Sequence, residues 1–139
     1  MVQGKNISNY FSGILSLNSN QYSESYKYFN RLSNLEGSHS NFGKRYLFTL
    51  VNLGKINEAF HFSKKLEKKN QSIFESDLII GIYYLKNEEN NLAKKYFFKI
   101  KKRKKEILLN AFIIESLLNW VDLDNTNLNS AKKKINSTE

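Results

Sequence analysis

The chain has 139 residues, of which 40% are hydrophobic and 14% aromatic, a composition that excludes a disordered polymer and fits a single folded domain. It contains no cysteine, no proline and only six glycines, which excludes a disulfide framework and any thiolate metal site and favours helix. Its net charge of +9 admits an anionic partner, but it equally follows from a lysine-, asparagine- and isoleucine-rich usage typical of an AT-rich genome, since arginine occurs only at 31, 45 and 103.

In chain order, residues 1–6 lack the charged-then-apolar pattern of a leader, and a cytoplasmic location is expected. The apolar stretches at 78–85 and 107–114 are too short to span a bilayer. Polar clusters at 18–21, 36–41, 54–57, 70–72 and 87–91 mark turns. Between them the spacing predicts helices at about 7–18, 21–35, 41–53, 56–70, 74–86 and 89–103. A seventh is expected at about 105–121, carrying Leu108, Leu109, Phe112, Ile113, Leu117, Trp120 and Val121. A polar turn over 122–129 then leads to a short helix near 128–136 with Ala131 and Ile135.

Three segments repeat without gaps at a constant interval of about 34 residues. Ser25, Ala59 and Ala93 share the register, as do Leu32, Leu66 and Ile100, and Gly13, Leu47 and Gly81. Small residues at 25, 59 and 93 allow two helices to approach closely. Phe29, Phe97, Leu32, Leu66 and Ile100 fall four and seven positions later, on the same helical face.

The period and the small–aromatic pattern resemble tetratricopeptide repeats of bacterial type, over about 6–39, 40–73 and 74–107. The departures are specific. Leu47 replaces the early small residue, Ser63 replaces the aromatic of helix B, the turn glycine occurs only as Gly54, and Gly37, Gln71 and Lys105 stand where a proline is usual. The strict frame places Asn127 at the small position of a fourth hairpin, and Ala131 comes four residues late, so 108–139 is expected to be irregular or incomplete. The resemblance implies an all-α, right-handed α-α superhelix of about three and a half hairpins that acts as a non-catalytic protein-binding scaffold without cofactors.

In such a family, helix A side chains line a concave groove. The register carries those positions onto Tyr10, Phe11, Ile14, Leu17 and Asn18, onto Lys44, Arg45, Phe48, Val51 and Asn52, and onto Leu78, Ile79, Ile82, Leu85 and Lys86. This surface suits an apolar or amphipathic peptide or helix, although the same residues could pack on one another or within a longer array. A two-carboxylate clamp is argued against, because its positions hold Tyr10, Ile14, Arg45, Glu75 and Ile79.

Other chemistry is sparse. His39 and His61 have no partner at metal-ligand spacing. Asp122 and Asp124 begin a calcium-loop pattern that fails at Asn127 and Lys133. No phosphate loop or nucleophile motif occurs. The basic run Lys99, Lys101, Lys102, Arg103, Lys104 and Lys105 contains no aromatic to stack on bases. It supports nucleic-acid binding as the alternative function, against a solvated helix end whose cations favour the dipole.

Overall fold

The computed structural model describes residues 2–32, 40–103 and 108–136. Among these the secondary structure is entirely helical: α1 (Val2–Asn18), α2 (Tyr22–Asn30), α3 (Ser40–Asn52), α4 (Ile56–Lys68), α5 (Phe74–Lys86), α6 (Asn90–Lys101) and α7 (Leu108–Asn136). Two compact units form, Met1–Ile79 and Ile80–Glu139, with α5 contributing its first half to one and its second half to the other.

The starts of α2, α4 and α6 are evenly spaced along the chain, one repeat apart, and those of α3, α5 and α7 keep the same interval. The turns that set this period share one backbone geometry. Asn20, Gly54 and Glu88 each take a left-handed conformation, with φ of 56°, 70° and 61°. After each, the next N–H donates to the carbonyl five residues back: Gln21 to Ser16, Lys55 to Leu50 and Glu89 to Tyr84, at 2.8–2.9 Å. The left-handed residue donates to the carbonyl three back, so both orphan carbonyls at the helix end are satisfied in a Schellman cap. Asn70, φ 56°, closes α4 in the same way, with Gln71 donating to Leu66. The backbone thus repeats where the glycine does not. Ser76 opens α5 by accepting from the Ile73 N–H at 2.9 Å, the reciprocal half of a capping box.

In the first unit the core gathers Phe29 and Leu32 near α2, Phe42, Tyr46, Leu47 and Leu50 of α3, and Ala59, Phe62 and Leu66 of α4. Aromatic rings interlock at its centre, where Tyr46 meets Phe62 edge-on at 4.9 Å and Phe42 meets Phe29 edge-on at 5.8 Å. Each such ring contributes roughly 1.5–3 kcal/mol through burial and about 0.5–1.5 kcal/mol more through geometry. Ser25 ties three helices together. Its hydroxyl donates to the Gly13 carbonyl at 3.0 Å and lies 3.4 Å from the Thr49 hydroxyl.

The helix pairs approach closely where glycine permits. A Cβ built on Gly13 would clash with the edge of the Phe29 ring at 2.3 Å, and one on Gly81 with the edge of the Phe97 ring at 2.4 Å. In the second hairpin the same two positions hold Leu47 and Ser63, both buried, so the large side chain comes from the opposite helix.

In the second unit, Ile80 of α5, Ala93, Tyr96, Phe97 and Ile100 of α6, and Ile114, Leu118 and Val121 of α7 are buried. The turn expected over 122–129 does not form. Helix α7 is continuous for 29 residues, and the short helix expected at 128–136 is its last part. The polar cluster has no Gly or Pro to force the chain out of helix. Side chains also tie it to α6: Lys94 reaches Asp122 at 2.6 Å and Asn90 donates to Asn125 at 3.1 Å. The Thr126 hydroxyl donates back to the Asp122 carbonyl at 2.8 Å, so it does not compete with the helix. Helix α2 ends at Asn30, short of the expected 35.

Candidate functional site

The expected groove positions divide into three groups in the first unit. Tyr10, Ile14 and Leu17 pack against the core and are half-buried. Arg45 is held by Tyr10, donating to its hydroxyl at 3.2 Å with the guanidinium 5.8 Å from the ring centre. Lys44 is exposed and pairs with Glu75 at 3.0 Å, so its charge is matched. That leaves Phe48, 54% exposed, and Val51, 44% exposed, as the apolar surface of α3, with Asn52 beside them donating to the Phe48 carbonyl. The Phe48 ring rests 6.2 Å from Tyr22, which supports it at one edge. Asn18 is exposed at the end of α1. Phe11 is exposed on α1 in line with Ile7 and Leu15, four residues to either side.

On α5, Leu78 and Ile79 belong to the first unit, where Ile79 packs against the core. Ile82, Leu85 and Lys86 belong to the second. Ile82 is 42% exposed, Leu85 is half-buried and Lys86 is exposed.

A polar network on α2, α3 and α4 was not legible in the sequence. The Tyr26 hydroxyl donates to Glu58 at 2.8 Å, Lys55 reaches the other Glu58 oxygen at 2.8 Å, and the Lys55 ammonium lies 4.6 Å over the Tyr26 ring. Tyr46 stacks on Tyr26 and donates to Asn30 at 3.1 Å. The Lys55 bond holds the Glu58 carboxyl below its ordinary value, with the Tyr26 hydroxyl adding to the effect. The bond to Glu58 pushes Tyr26 up, and burial pushes Tyr46 up. The tyrosines therefore stay protonated and serve as donors. The spacing Lys55–Glu58 hints at a pair, but Tyr26 is 32 residues away in sequence and only the fold brings it near.

The basic run is partly neutralised. Lys101 pairs with Glu115 at 2.9 Å, Lys99 lies 5.6 Å from the Tyr96 ring centre, and Arg103 is half-buried. Lys102 is exposed, and Lys104 and Lys105 lie outside the described residues. So do His39 and Gly37. His61 is exposed on α4 beside Phe60. Among the described residues no group of three His, Cys, Asp or Glu could hold a metal ion, and no helix is long and apolar enough to cross a membrane.

Comparison with family models, curated proteins and solved structures gives no match for the chain.

Proposed function

We propose that the hairpins follow one another as a right-handed α-α superhelix of tetratricopeptide type, and that the chain is a non-catalytic scaffold. Its ligand is an apolar or amphipathic peptide or helix. Support for the repeat comes from the left-handed caps at Asn20, Gly54 and Glu88, which return at a constant interval with the same pair of hydrogen bonds. Support for binding comes from one observation above all: Phe48 and Val51 remain exposed on α3 while their neighbours Tyr46, Leu47 and Leu50 are buried. An amphipathic helix would lay its apolar face on such residues, with main-chain and rim polar groups fixing its register.

The test is titration of a labelled panel of short amphipathic helical peptides, with the contact mapped by NMR. Binding is expected to perturb Phe48 and Val51, and Phe48→Glu is expected to abolish it without lowering the melting temperature, because the ring is more than half exposed. Binding that survives Phe48→Glu, or that maps to the outer face of α4, would overturn the reading.

A further inference from the structure

We propose that the ligand of the α3 surface is acidic as well as apolar: a side-chain carboxylate, one helical turn from the apolar residue that covers Phe48, seats on the Arg45 guanidinium. This rests on reading Phe48 and Val51 as the binding surface. Arg45 precedes Phe48 by three residues, which places the two as neighbours on α3, about 4.5 Å apart along its axis. Arg45 is half-buried and reaches across to α1, where Nη1 donates to the Tyr10 hydroxyl at 3.2 Å and the guanidinium lies 5.8 Å from the ring centre. That ring is itself set against the core, 6.3 Å from Phe29 and 6.4 Å from Phe42. The charge is thus fixed in place by a packed support beside the exposed apolar residues.

What this guanidinium lacks is a counter-ion. Its neighbour Lys44 has Glu75 at 3.0 Å. Among the described residues no carboxylate pairs with Arg45, and α3 contains no acid in its 13 residues. Taking a cation partly out of water without an ionic partner costs free energy that a carboxylate would return. The Tyr10 hydroxyl engages Nη1 alone, and the remaining donors of the planar fork match the two oxygens of a carboxylate. Charge therefore selects among the helices that the apolar patch alone would admit. With Lys44 neutralised and Arg45 open, a chain of net charge +9 repels a basic helix and draws an acidic one. A carboxylate three or four residues from the apolar anchor reaches Arg45 when the anchor covers Phe48. One half-buried pair is screened much less than a track of exposed contacts, so salt weakens it little.

Labelled amphipathic helical peptides test this on the full chain by fluorescence anisotropy. Each carries a leucine anchor with a glutamate four residues before or after it, and each has a counterpart with glutamine in place of the glutamate. At least one glutamate peptide should bind about tenfold or more tighter than its glutamine counterpart. Arg45→Gln should erase that difference and leave the glutamine peptide's affinity unchanged. Arg45→Glu should reverse the preference, so that lysine at the same peptide position binds better than glutamate. The glutamate–glutamine comparison on the wild-type chain needs no variant, so it decides even where a substitution at Arg45 disturbs folding. Equal affinity for the two peptides, or a glutamate preference that survives Arg45→Gln, overturns the carboxylate seat and leaves the Phe48 surface standing. A glutamate preference that needs Arg45 but survives Phe48→Glu overturns the apolar surface instead, and failure of every peptide to bind overturns both.

Discussion

At the residue scale, the second hairpin reverses the packing of the other two. Gly13 and Gly81 make room for Phe29 and Phe97, whereas the second hairpin carries Leu47 and Ser63, both buried, at the same two register positions. Read singly, Leu47 and Ser63 look like two losses from the pattern, but together they conserve volume. Ser63→Phe alone should overpack the contact and cost about 1–3 kcal/mol. Leu47→Gly alone should cost about 3 kcal/mol or more, from the cavity and the added backbone freedom. The double variant should be less damaged than the sum by about 1–3 kcal/mol, because the phenyl ring then fills the space the leucine left. Denaturant midpoints of the four proteins measure this, and strict additivity would show that the two sites do not share a cavity. The left-handed caps give a second case. Glu88 adopts φ 61° where Gly54 adopts φ 70°. For a side chain with a Cβ that conformation costs about 1 kcal/mol or more. Glu88→Gly should therefore stabilise the chain by about 1 kcal/mol, read as a higher midpoint at unchanged slope.

At the scale of elements, the helices and their turns were largely legible because two signals coincide, a face of apolar residues and a polar cluster recurring once per repeat. The cluster at 122–129 shows where that logic fails. Polarity marks a turn only when a residue also forces the backbone out of helix, as Gly54 does and as Asn20 and Asn70 tolerate. Asp122 and Asn125 are polar because α6 supplies Lys94 and Asn90 to bond them, a tertiary reason invisible in local sequence. Exposure was the less legible part of the candidate surface. The repeat register assigns Tyr10, Ile14 and Phe48 one role, yet the first two pack inward while Phe48 stays open. Ile7 and Leu15 carried a visible four-residue spacing with Phe11, but spacing does not say what covers a face. The Tyr26–Glu58–Lys55 network joins α2 to α4, and its effect on stability has a definite sign. Glu58 has its folded value lowered from the ordinary 4.5, so its contribution is present above that value and is lost as pH falls through the lowered one. Tyr26 is raised, so its contribution is present below its ordinary value of 10.0 and is lost as pH rises through the raised one. Urea midpoints of Glu58→Gln should accordingly show a shallower acid limb and a shallower alkaline limb than the wild type. Limbs of equal steepness would mean that the network adds nothing in solution.

At the scale of the molecule, the charge of +9 is the feature that a peptide-binding scaffold does not need, and it separates the two functions considered from sequence. A nucleic-acid surface concentrates unpaired cations along a track, whose phosphates displace counterions, so affinity falls steeply with salt. Here the described lysines divide their charge among separate helices. Lys27 pairs with Glu24 on α2, Lys44 with Glu75, Lys94 with Asp122 and Lys101 with Glu115. Exposed pairs of this kind contribute little to stability, on the order of 0–1 kcal/mol each, but each cancels a charge that a phosphate would otherwise use. The aromatic rings near the lysines are engaged as well, Tyr96 beneath Lys99 and Phe98 beside Lys94. Association with random-sequence RNA is therefore expected to be weak at about 50 mM salt and lost by about 200 mM, with a slope corresponding to few phosphates. Peptide binding at Phe48 should change little over the same range, since its contact is apolar. Fluorescence anisotropy on the two probes in parallel reads both. Tight RNA binding that persists at the higher salt, and that weakens on Lys102→Glu, would transfer the function from the α3 face to the basic end of α6.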